Sequence, residues 1–203
     1  MSLISGQVDV YFVDDNKETL VSQQKNMIAV GLGYSIANLM TDNQDEKIDN
    51  YIVRYGIFGT GSYNFTGISS AASGYIFNLV NPVNLRFLNL NLSYEIKNLN
   101  SLTGTTFVTS DGISLSEFKQ SYISLPDSKI SAISNNAVRH TLVLDDSVNQ
   151  NYIVKEIGLF IKNPDLYYPE DVPILAAYKA FTTDIIKPSG VKLKIDWTFR
   201  FNI

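Results

Sequence analysis

The chain's one histidine, His140, restricts the catalysis available to it. A single imidazole is too few for a multi-histidine metal site or an H-E-x-x-H arrangement within one chain. A serine–histidine–acid triad would have to use it, yet His140 alternates with Val138 and Leu142 on what reads as an inward strand face. It is therefore taken as a packed, hydrogen-bonded histidine. No G-x-S-x-G nucleophile elbow occurs. Gly59-Thr60-Gly61-Ser62 begins like a phosphate loop but lacks the lysine and the helix that would present its amides, and reads as a glycine turn after a strand. Asp42, Asp45, Glu46 and Asp49 have neither the spacing nor the central glycine of a calcium loop, and read as a solvated linker. No carboxylate pair is nominated for glycoside hydrolysis, where the separation that matters is spatial. Tyr167 and Tyr168, beside Pro169, have the type and setting to stack on a sugar ring, or to pack back on their own sheet. No catalytic residue, metal ligand or cofactor-binding residue is thus expected, and no cofactor.

The elements that would position such groups come from a chain of 203 residues, 45% hydrophobic and 18% charged, enough for one globular domain with a sizeable core. Twelve Tyr and eleven Phe favour strands. A net charge of −4 argues against general nucleic-acid binding, since no basic face is available to displace counterions. The absence of cysteine removes disulfides, thiolate zinc sites and cysteine nucleophiles. No apolar run has the roughly 18 residues of a membrane span, and the first residues lack a basic-then-apolar signal pattern, so a soluble protein without membrane contact is expected.

The clearest pattern lies at the end. Val191, Leu193, Ile195, Trp197, Phe199, Phe201 and Ile203 alternate with Lys192, Lys194, Asp196, Thr198, Arg200 and Asn202, as a strand with one dry and one wet face requires. Strands are predicted before it at 152–161 and 172–183, with turns at 164–171 and 184–190, and at 137–144, 86–98, 51–58 and 4–13. In 152–161 Lys155 breaks the alternation; a bulge near Glu156–Gly158 or burial on both faces would account for it. Ile28, Leu32, Ile36 and Leu39 recur at helical spacing, predicting one long helix over about 22–40 capped by Ser22, with Gly31 and Gly33 allowing something to pack closely. Ser114 to Glu117 has capping-box spacing, predicting a short helix over 114–123. The fold class expected is mainly β: an antiparallel β-sandwich with one long helix in the N-terminal half and a short middle helix. Val8, Val10 and Phe12 make a short apolar face near the terminus, a candidate intermolecular contact or a strand paired within its own chain.

The order of NMIAVGLGYSIANLM, YIVRYGIFGTGS, Lys155-Glu156-Ile157-Gly158-Leu159-Phe160, ILAAYKAF, the Lys187-Pro188 turn and the terminal Trp197-x-Phe199-x-Phe201 strand resembles virion proteins of tailed bacteriophages, of the tail-fibre, collar and baseplate-attachment type. The resemblance covers about 22–62 and 137–203. Residues 63–136 look like an insertion or diverged middle within the single domain 1–203, and the first twenty have no counterpart. It implies a non-enzymatic structural or assembly protein of the tail, baseplate or collar, made in the host cytoplasm and built into the virion. Other virion proteins and further copies of itself, in a ring or trimer, are the implied partners. A carbohydrate-binding sandwich recognising a host-surface glycan is the alternative, with Tyr167 and Tyr168 as its stacking residues.

Overall fold

The computed structural model of the chain describes residues 4–29, 31–33, 36–37, 52–61, 79–82, 95–101, 118–145, 152–162 and 172–202. Strands make up most of them: β1 (Ile4–Asp14), β2 (Lys17–Lys25), β3 (Met27–Ile28), β4 (Val53–Gly59), β5 (Glu95–Ser101), β6 (Phe118–Ser124), β7 (Ile130–Ser134), β8 (Ala137–Leu144), β9 (Tyr152–Ile161), β10 (Ile174–Lys187) and β11 (Lys192–Phe201). They form a five-stranded sheet in the order β2-β1-β11-β8-β7 and a six-stranded sheet in the order β3-β10-β9-β4-β6-β5. Every pairing between these strands is antiparallel.

The terminal strand organises the first sheet. Trp197 lies opposite Val8 on one side and His140 on the other, so the alternating inward residues of β1, β11 and β8 fall in line. Leu193, Ile195 and Trp197 are completely buried and Phe199 nearly so. Their wet-face counterparts are drier than alternation suggests. Asp196 and Thr198 are buried too; at Asp196, Thr141 donates to Oδ1 at 2.7 Å and Lys194 lies 3.2 Å from Oδ2. One cluster of buried side chains takes Val8, Leu142 and Trp197 from the first sheet and Phe58, Ile157 and Leu159 from the second. The two sheets touch directly at Gly56, where an added Cβ would sit 2.1 Å from Leu142 Cδ2.

The helical expectations are corrected in part. Ser22 does not cap a helix: 17–25 is β2, joined to β1 by a tight turn in which Asp15 and Asn16 take φ of 42° and 69°, as a two-residue hairpin demands. Met27–Ile28 is β3, and helix is found at 31–33 and 36–37. Leu39 lies outside the described residues. Close packing at Gly31 does occur, since a Cβ there would sit 2.5 Å from the Leu175 carbonyl oxygen, whereas Gly33 faces open space. The short middle helix is contradicted over 118–123, which is β6; residues 114–117 lie outside the described set. Tyr122 and Ile123 point to opposite faces and both are fully buried, with Gln120 and Ser121 nearly so. A strand covered on both faces has no period of two to show.

Two strand expectations are also corrected. Residues 184–187 continue β10, leaving Pro188 to Gly190 for the turn, where Gly190 takes φ of 76°. β9 has no bulge at Glu156–Gly158: Ile157, Gly158 and Leu159 pair in unbroken register with β4 and β10, and the irregularities next to them place extra residues in those partner strands. β9 is instead buried on both faces, and Lys155 reaches out to Asp184 at 3.0 Å. Of the predicted strand over 86–98, Glu95–Asn98 belongs to β5 and the rest lies outside the described residues. Within the stretch 63–136, β5 and β6 extend the second sheet and β7 ends the first.

Candidate functional site

Glu156 stands in the middle of β9, a carboxylate inside the apolar run YIVKEIGLFI, with no exposed surface. β9 lies between β10 and β4, so its neighbours come from both. The Tyr178 hydroxyl on β10 donates to Glu156 Oε2 at 2.8 Å. The backbone N–H groups of Val80 and Asn81 donate to Oε2 at 3.0 Å and to Oε1 at 2.8 Å. A buried carboxylate left bare would cost several kcal/mol, roughly what makes three donors here a requirement of the fold. The carboxylate in turn fastens residues 79–82 to the second sheet.

The glycine turn after β4 completes this clamp. Thr60 N–H donates to the Asn81 carbonyl at 3.0 Å, Asn81 Nδ2 donates to Thr60 Oγ1 at 2.7 Å, and Gly59 forms an isolated antiparallel bridge with Pro82. Each glycine concerned makes room. A Cβ on Gly59 would meet Glu156 Oε1 at 2.4 Å, one on Gly61 would meet Val80 Cβ at 2.8 Å, and one on Gly158 would meet Leu79 Cδ1 at 2.6 Å. Leu79 then packs with Ala29, Ile57, Tyr122, Phe160, Leu175 and Tyr178 in a second apolar cluster. Tyr122 meets the Phe160 ring edge-on at 5.2 Å. That cluster covers the second face of β9 and explains its double burial. Gly158→Ala is expected to cost about 1–3 kcal/mol by overpacking, read as a lowered urea midpoint.

The residues singled out from sequence fall into three groups. Gly59 and Thr60 belong to the clamp, and no phosphate-loop lysine or helix accompanies them within 59–61. Val8 and Val10 are completely buried and Phe12 packs against the same core, while β1 is paired along both edges by β2 and β11 of its own chain. Of the two alternatives for that segment, pairing within the chain is the one present, so its edge is not open to a neighbour. Tyr167 and Tyr168, together with Asp42, Asp45, Glu46 and Asp49, lie outside the described residues.

His140 is buried, edge-on to Phe199 at 5.5 Å, and its Nδ1 has no hydrogen-bond partner among the described residues. The expected packing is present, and of the two ring nitrogens Nδ1 does not supply the expected hydrogen bond. Burial, with a smaller contribution from the Arg54 charge, holds its pKa down at about 4. Because the folded value lies below the unfolded one of about 6.5, the neutral form is favoured by folding. The stabilisation is complete above about pH 6.5 and is lost as pH falls toward 4, amounting to about 3 kcal/mol in all. His140→Gln is expected to flatten the stability profile between pH 6.5 and 4; an unchanged slope in denaturant melts across that window would contradict the assignment.

An open cleft of about 500 Å³ lies at the other end of β4, lined by Arg54, Tyr55, Glu95, Asp127 and Lys162 among others. Arg54 is ion-paired with Asp127 there, and the cleft's two cationic and two acidic side chains balance in charge. Sequence inspection missed the roles of Tyr178, Val80 and Asn81 altogether. The one local signal was a glutamate within an apolar strand. No family model, no curated protein and no solved structure matches the chain.

Proposed function

We propose that the chain is a non-enzymatic structural subunit of a tailed-phage particle, in the tail, baseplate or collar, with its two sheets packed face to face as a sandwich. The observation that carries this is the clamp at Glu156. The glycine turn at 59–61 and the strand 155–160, the two internal motifs of the resemblance to virion proteins, meet at one carboxylate. Their chemistry there is architectural: a fully buried acid spends its oxygens on three chain donors, Gly61 and Gly158 admit the segment that supplies two of them, and Gly59 makes room for the carboxylate itself. A subunit of this kind works by shape, through contacts with other virion proteins and with copies of itself.

An antibody raised against the chain is expected to label one fixed position on particles purified from cells that make it, seen by negative-stain microscopy. Chain recovered only from the particle-free fraction, with unlabelled particles, refutes the assignment.

A further inference from the structure

We propose that a second copy of this chain docks edge to edge along β2, forming a two-fold pair that continues the five-stranded sheet across the contact. The inference rests on the reading of the chain as an assembling subunit and names the surface that assembly uses. Apolar exposure marks that corner. Leu20 is 50% and Val21 38% exposed on β2; Ile186 is 50% exposed on β10, directly opposite Ile153 at 38%. These are four of the six large hydrophobic side chains exposed among the described residues. Val21 and Ile186 also line one cleft of about 410 Å³, with Phe12 and Ile185, where β2 overhangs β10. Among the described residues no strand pairs with the outer edge of β2, which runs for nine residues with its backbone groups available.

Topology fixes the symmetry. Five antiparallel strands leave the two edges, β2 and β7, running in the same direction. With the inward faces of both copies on one side, joining β7 of one copy to β2 of the next would therefore make a parallel pair, whereas an antiparallel continuation sets like edge against like edge, about a two-fold axis. In such a pair, opposed residues must share a face, and the irregularity in β2 decides which can. β2 pairs Glu18 with Val13, Leu20 with Tyr11, Gln23 with Asp9 and Lys25 with Gln7, so the shift at Val21 brings Glu18, Leu20, Gln23 and Lys25 onto one face. The antiparallel register that opposes all four among themselves sets Glu18 against Lys25 of the second copy, and Leu20 against its Gln23, twice over. Charges at the two ends of the edge are thus complementary to themselves. Glu18, held by Lys194 at 2.9 Å, is already positioned on that face.

The test uses the full chain in sedimentation equilibrium. The parent is expected to be dimeric. Glu18→Lys and Lys25→Glu, each placing like charges in opposition, are expected to weaken the dimer at least about tenfold, and the double exchange to recover it. Because the chain has no cysteine, Leu20→Cys with Gln23→Cys offers an independent readout: an intermolecular disulfide under mild oxidation, absent when Ile133→Cys on the β7 edge is used instead. A self-associating parent indifferent to the charge exchanges and not cross-linked through β2 overturns this surface while leaving assembly standing. A parent that stays monomeric throughout overturns the pair and counts against the assembling subunit as well.

Discussion

Trp197→Ala is expected to lower the unfolding free energy by about 3–5 kcal/mol, the largest loss from any single truncation on the terminal strand. Trp197 is completely buried at the centre of β11, between Val8 of β1 and His140 of β8, and its ring stacks on Phe199 at 6.4 Å. Truncation removes the transfer energy of an indole and leaves a hole that rigid β-sheet neighbours on both sides fill poorly. Phe199→Leu, which keeps much of the volume, is expected to cost clearly less. Urea melts give the readout: the Trp197→Ala midpoint falls well below the parent's with little change in slope. Overlaid melts would mean that the inward face of β11 has been misassigned.

Glu156→Ala is expected to cost a comparable amount, about 3–5 kcal/mol, for a different reason. The packing lost is small. The loss comes from Val80 N–H, Asn81 N–H and the Tyr178 hydroxyl, three donors deprived of one acceptor. Each buried unsatisfied donor costs about 1–3 kcal/mol, and water entering the vacated space recovers part of it. Glu156→Gln keeps the shape and one acceptor oxygen, so about 1–2 kcal/mol is expected. The ranking Ala, then Gln, then parent is the signature of a hydrogen-bonding role. If Glu156→Gln is as damaging as Glu156→Ala in thermal melts, charge rather than acceptor count holds the segment.

These two residues also mark what sequence can and cannot disclose. Trp197 was legible because β11 has one strongly apolar face, and Leu193, Ile195 and Phe199 repeat at a period of two beside it. A turn at Asp14-Asp15-Asn16 was legible from residue type alone, but not that it closes a hairpin onto β2. β6 was not, because apolar clusters cover both of its faces and erase the alternation; β9 was legible as a strand over 152–161, but the same double cover left a bulge and burial on both faces equally open. Residues 22–28 misled because Ile28, Leu32 and Ile36 do repeat at helical spacing, yet pairing with β1 draws Ser22 to Lys25 into a hairpin. The clamp could not be read from spacing at all. Its backbone donors lie 75 and 76 residues from Glu156 along the chain, and a glutamate in a strand does not announce which amides will find it. The burial of Asp196 is of the same kind, with Thr141 reaching it from the adjacent strand β8.

Amide hydrogen exchange at Val80 and Asn81 tests the clamp most directly. Both N–H groups lie outside the strands, where amides usually exchange freely, yet both donate to the buried Glu156 carboxylate. Slow exchange is predicted at both positions in the parent, with protection lost in Glu156→Ala while amides at the centre of β11 stay protected. Fast exchange at Val80 and Asn81 in the parent would contradict the clamp, and with it the account of why the glycine turn and the 155–160 strand belong together.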